Sequence, residues 1–172
     1  MGILSGNPKD EPLHYGEAFD VWAASTKAKG CISVYRAYHN HAGDKDLKDL
    51  LNDLINQSKL EAKECDQILV QNGITPSPYL PERPEVKLSD IPVGARITDQ
   101  EITALAGADL AASMAACSQV MGMSIREDVG ALFAKYHMSN AALALKTLQI
   151  SKEKGWLIPP PLHVKRPELV EA

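Results

Sequence analysis

Apolar residues recur every three to four positions in four long segments of this chain, and a proline-rich stretch without any such period separates the second from the third. That period marks one face of a helix. The first segment, 12–40, puts His14, Glu17, Val21, Ala24, Ala28, Ile32 and Tyr35 on one side. Asp10 is placed to cap it, Pro12 suits its first turn, and His39 and His41 suit its last. The second segment, 45–72, follows the short turn Gly43-Asp44. It carries Leu47, Leu51, Leu54, Ser58, Glu61, Cys65 and Ile68, and stops at Asn72-Gly73.

The third segment, 99–122, opens on Thr98-Asp-Gln-Glu101, a capping-box pattern. Its stripe is Ile102, Leu105, Asp109, Ala112, Ala116 and Val120. The fourth, 125–154, opens on a second such box, Ser124-Ile-Arg-Glu127. Its stripe is Ile125, Val129, Leu132, Tyr136, Leu143, Thr147 and Ile150, with Phe133 and His137 on the flank. Lys152, Lys154 and Gly155 end it. The tail, 155–172, is extended by its prolines, with Trp156 and Leu157 folding back on the helices.

The intervening stretch, 73–97, holds Pro76, Pro78, Pro81, Pro84 and Pro92. A helix of about 28 residues is roughly 42 Å long. A connection of about 24 residues reaches at most roughly 80 Å. It crosses the full length of a bundle with slack, which makes the second and third helices parallel. Four helices with one long crossover predict an all-α, ferritin-like four-helix bundle. The whole chain, 1–172, is expected to form a single domain.

Composition narrows the picture. Of 172 residues, 45% are apolar, 23% charged and only 5% aromatic, and alanine is abundant, which favours closely packed helices. The formal net charge of −4 carries no signature of a nucleic-acid binder. No uninterrupted apolar run approaches the roughly 20 residues of a bilayer span. The N-terminus lacks a basic region followed by an apolar core, so a cytoplasmic location is expected. Cys31, Cys65 and Cys117 sit in separate helices and read as buried thiols.

The candidate chemistry lies in the polar residues of the inner stripes, which are costly to bury unpaired. Pairing the hairpins about their turns puts Glu61, Asp109 and His137 in one mid-bundle layer, with Glu17 about two turns away. One reading is a degenerate carboxylate and histidine site for iron, manganese or zinc, with Glu61, Asp109, His137 and Glu17 as candidate ligands. A di-iron bundle uses a Glu-x-x-His pair on each of two helices; this chain does not have two. The alternative is a structural network. There His137 holds Asp109, Glu61 bonds Ser58 or Tyr136, and Glu17 complements a helix N-terminus. A third reading is a small-ligand cavity beside Trp22, Tyr35 and Tyr136. No phosphate loop, nucleophile elbow or Cys-x-x-Cys is present, and no catalytic residue is expected.

Several stretches carry a family resemblance. They are Asn7-Pro-Lys-Asp-Glu-Pro-Leu-His-Tyr-Gly-Glu17, Asp90-Ile-Pro-Val-Gly-Ala-Arg96, Ala116-Cys-Ser-Gln119, Ser124-Ile-Arg-Glu-Asp-Val129 and Lys152-Glu-Lys-Gly-Trp-Leu-Ile-Pro-Pro-Pro-Leu-His163. Together they resemble a family of unknown function from spore-forming bacteria, ferritin-like and related in fold to spore coat protein F. The resemblance implies the bundle and supplies no catalytic residue. It implies a structural, stress- or sporulation-associated protein, spore-associated or cytoplasmic. The alanine-rich face of the third helix, or exposed parts of the first, would support a homodimer.

Overall fold

A computed structural model describes residues 11–161 and 163. Four helices carry the fold: α1 Tyr15–His41, α2 Lys45–Gln71, α3 Asp99–Met123 and α4 Glu127–Glu153. α1 packs chiefly on α2 and α3 chiefly on α4, with lighter α1–α3 and α2–α4 packing between the two hairpins. The all-α four-helix bundle with a long crossover is therefore present, and no strand occurs among the described residues.

Hydrogen bonds at the two ends fix the topology. At the upper end the Gly43 and Asp44 amides donate to the Asp99 carboxylate at 2.8 and 3.0 Å, so α3 begins beside the α1–α2 turn. At the lower end the Ile125 and Arg126 amides donate to Glu17, so α4 begins beside the start of α1. α2 and α3 thus run parallel.

The crossover climbs along α1. Ser77 meets Thr26 and Lys29, Arg83 donates to the Ser33 hydroxyl at 3.3 Å, and Asn40 donates to the Pro84 carbonyl at 3.0 Å. Two short 3-10 turns, Leu88–Asp90 and Val93–Ala95, precede α3. Lys29 anchors this path although almost entirely buried. Its ammonium reaches Asp66 at 2.8 Å and the Ser77 carbonyl at 2.6 Å.

Helix ends differ from expectation in two places. α1 is capped by His14, not by Asp10, which lies outside the described residues. The His14 imidazole accepts from the Gly16 and Glu17 amides, and its own amide donates back to Glu17. α4 has no capping box: Ser124 serves as the C-cap of α3, its hydroxyl donating to the Val120 carbonyl, and Arg126 is the N-cap without a side-chain bond. Glu17 supplies from a distance the acceptor that Ser124 was expected to provide. The Thr98–Glu101 box on α3 is present.

Both Gly73 and Gly155 adopt positive φ, 73° and 71°, in the left-handed turn that closes α2 and α4. Beyond Gly155, Trp156 folds back against the upper core as expected, whereas Leu157 does not and stays 39% exposed.

α3 is rotated from its expected face. Ile102, Ala106, Leu110, Cys117 and Val120 are buried, whereas Leu105 is 48% exposed, Ala112 is exposed, and Ala116 is exposed along the space between α3 and α1. Alanine lies on every side of this helix, so the pattern discriminates faces poorly. The larger Leu110 and Cys117 win the interior. The stretch Val93–Met123 is long and apolar enough, by length and composition, to cross a membrane, although only 22% of its apolar window is buried in the bundle.

The core divides into two apolar clusters. The upper one gathers Leu47, Leu51, Leu54, Ile102, Leu110 and Ile150. The lower one gathers Val21, Cys65, Leu69, Val129, Phe133 and Tyr136. The polar inner residues lie at the level between them.

Candidate functional site

The site is a cleft of about 280 Å³ between α1 and α3 that reaches into the bundle axis. It exists because the facing residues at this level are small. Ala23, Ala24, Ala28, Ser113 and Ala116 cannot fill the space between the two helices. Leu54, Leu110, Val120 and Phe133 form its apolar inner wall.

Two carboxylates enter it from opposite sides. Asp109, on α3, accepts a short hydrogen bond from the Tyr35 hydroxyl, with the Cys31 thiol 3.7 Å away. The Lys27 ammonium lies 3.2 Å from its other oxygen and also bonds Ser113. Asp109 is therefore fully partnered, by one cation and by neutral donors.

Glu61, on α2, is held differently. The Gln57 and Asn140 amides both donate to Oε1, at 2.9 and 3.2 Å. Among the described residues no cation pairs with Glu61, and no hydrogen bond reaches Oε2. No buried side-chain polar atom lacks a partner among them either. Oε2 therefore opens onto the accessible space of the cleft. Burial raises the Glu61 carboxyl above the usual carboxylate range, against the stabilising amides of Gln57 and Asn140.

The thiols and phenols in and beside the cleft are held neutral. Burial, reinforced by the Asp109 charge, pushes the Cys31 thiol up to about 12. Burial raises Cys117 to about 11 and the neighbouring Cys65 to about 12. Tyr35 and Tyr136 are driven far above the ordinary phenol value, first by burial and then by Asp109 and Cys65 respectively. Neither a thiolate nor a phenolate forms here near neutral pH.

The structure thus brings two of the four candidate residues together and leaves two out. Glu61 and Asp109 line one cleft. His137 does not line it; Tyr136 and Asn140 take the inward positions of α4. One residue along a helix turns the side chain by about 100°, which is enough to remove it. Glu17 sits at the lower end, where Oε1 accepts from the Ile125 and Arg126 amides at 2.8 and 2.9 Å. It is an anion at the start of α4. Asp109 is bonded by Tyr35 and Lys27 in place of His137, and the Glu61 carboxylate by Gln57 and Asn140 in place of Ser58 or Tyr136, whose hydroxyl donates instead to the Glu61 main-chain carbonyl at 3.5 Å. Among the described residues no group of three or more His, Cys, Asp or Glu could hold a metal. Trp22 does not line the cleft, whereas Tyr35 and Tyr136 do.

Gln57, Asn140 and Lys27 were missed by sequence reasoning. The available signal was spacing: Gln57 stands four residues before Glu61, so the two side chains stack on one helix face.

The bundle is shared with known proteins. A family model described as "Protein of unknown function (DUF3231)" matches residues 1–169. The chain belongs to the DUF3231 family. A relative of the family member, the uncharacterized protein YvdQ of Bacillus subtilis (strain 168), is 48% identical over 166 residues, covering 96% of this chain and 98% of YvdQ. A crystal structure from Bacillus halodurans C-125, described as that of a "putative spore coat protein", superposes with a TM-score of 0.90 at 46% identity. The match covers 92% of this chain and all of that one. The resemblance to a family of unknown function from spore-formers is thereby established.

Proposed function

We propose that this DUF3231 member is a non-catalytic structural protein associated with sporulation, a ferritin-like bundle that keeps the scaffold without the di-iron chemistry. The observation that carries this reading is the whole-length similarity to the Bacillus halodurans protein, whose description names a spore coat. A coat is an assembly, and the bundle offers a surface suited to one. The outward face of α3 exposes Ala104, Leu105, Ala108, Ala111, Ala112 and Ala115. Small side chains let a second helix approach closely, and leaving this area in water is unfavourable. A second copy of the chain packs there. The apolar stretch Val93–Met123 is accounted for by that interface and by the bundle, not by a bilayer.

The neutral thiols and phenols of the cleft support a non-catalytic role. The iron, manganese or zinc alternative has weaker support, since Glu61 and Asp109 share the cleft without an imidazole. Stoichiometric metal in protein purified without chelator would reverse that preference.

The wild-type protein is expected to run as a dimer or larger in size-exclusion chromatography with light scattering at micromolar concentration. Leu105→Glu combined with Ala112→Glu should yield a folded monomer with unchanged helical circular dichroism. Immunoblots of purified spores from the source organism should detect the protein. A monomeric wild type that is absent from spores would sink the reading.

A further inference from the structure

The α1–α3 cleft has the features of a binding site that a purely structural bundle does not need. We infer that it binds a small amphiphilic amine, with the ammonium on Glu61 Oε2 and an apolar body along the alanine-lined walls.

Three independent observations converge. The first is space: about 280 Å³ at the level where a bundle core is normally filled. An engineered apolar cavity of about 150 Å³ in another protein accepts benzene, so this cleft takes a ring with a short alkyl chain. The second is lining. Ala24, Ala28, Leu110, Ala116, Val120 and Phe133 present carbon and no charge. The third is the state of the two carboxylates. Asp109 is already neutralised by Lys27 at 3.2 Å and bonded by Tyr35. Glu61 is anchored through Oε1 alone, by two neutral amides that fix its orientation without cancelling its charge. A preorganised, half-used carboxylate at the end of an apolar slot fits one ligand class: a cationic donor on a hydrophobic stem. An anion of the same shape would meet the uncompensated Glu61 charge, while the one cation beside the slot, Lys27, is already held by Asp109.

The test uses 4-phenylbutylamine, its matched alcohol 4-phenylbutan-1-ol and its matched acid 4-phenylbutanoate, titrated against the full-length protein by calorimetry. The amine is expected to bind with a dissociation constant below about 1 mM. The alcohol should bind at least about tenfold more weakly, and the acid should not bind measurably. Glu61→Gln should weaken the amine by at least about tenfold. Ala116→Phe leaves Glu61 intact and fills the slot, so it should abolish binding at unchanged helical content. That second variant keeps the test decisive if Glu61→Gln does not fold. Equal binding of amine and acid, no binding of the amine by the wild type, or full amine affinity in Ala116→Phe would each overturn the inference.

Discussion

Glu61 and Asp109 face the same cleft under opposite electrostatic regimes. Asp109 has Lys27 beside it; the Glu61 carboxylate is bonded by amides alone and feels Lys27 only from a distance, and burial raises its carboxyl above the ordinary 4.5. A raised acid favours the protonated form in the folded state. Its stabilisation is complete below the ordinary value and is lost as pH rises through the folded-state value. At neutral pH the ionised Glu61 is therefore a standing destabilisation. Glu61→Gln keeps a group of the same shape without the charge. It should melt above wild type at neutral pH, and the difference should vanish by about pH 4. Thermal melts across a pH series check this; a variant that melts below wild type at neutral pH contradicts it. These two acids were legible in the sequence because a charged residue on an apolar helical stripe is conspicuous. His137 was not resolved, since a flank residue moves in or out with a rotation of a fraction of a turn.

At the scale of the element, helix ends separate local from long-range information. Thr98 and Glu101 cap α3 from within four residues, at 2.8 Å for the Thr98 amide on Glu101, and the sequence pattern reads directly. Ser124 and Glu127 carry the same pattern and do not cap α4, because the acceptor comes from Glu17, over a hundred residues earlier. A buried carboxylate on two amides outcompetes a hydroxyl. Glu17 also takes the His14 amide at 3.2 Å, so one side chain closes two helix starts. In Glu17→Gln the amide nitrogen must confront a donor. The expected loss is about 1–2 kcal/mol in urea unfolding, with the α1 and α4 starts exchanging amide protons faster than the upper end. Uniform acceleration across the bundle would argue against a role at the termini.

For the molecule as a whole, the crossover decides which helices are neighbours. Its prolines keep it extended, and its length allows the climb along α1 without fixing the path. The path is fixed by side chains of α1. Lys29 clamps Ser77 and Asp66, Tyr79 lies over the Lys29 ammonium at 4.9 Å, and Arg36 pairs with Glu82 at 2.8 Å. Lys29→Met strips the clamp and leaves the Ser77 carbonyl and Asp66 short of a donor. Asp66 retains some solvent, which screens the loss, so the destabilisation should be about 1–3 kcal/mol. The crossover should loosen more than the bundle. Limited trypsin digestion ought to cut after exposed Lys87 sooner than in wild type, at equal global stability after correction. Unchanged cleavage would mean the crossover is held elsewhere.

What the sequence determined by itself is what depends on neighbours along the chain. Four helical periods, local caps and stops, and a crossover long enough to make α2 and α3 parallel are all written within windows of a few turns. The upper level of the core was equally plain, because Leu47, Leu51 and Leu54 leave no choice of face. Tertiary structure alone decided the rotation of α3, where alanine makes every face acceptable and packing of Leu110 and Cys117 breaks the tie. It also decided which polar groups meet: Lys29 with the crossover, Glu17 with α4, and Glu61 with Asn140. Those pairings follow from axial rotation and height between helices. Both are set by the best total burial across the bundle, not by any residue's own preference.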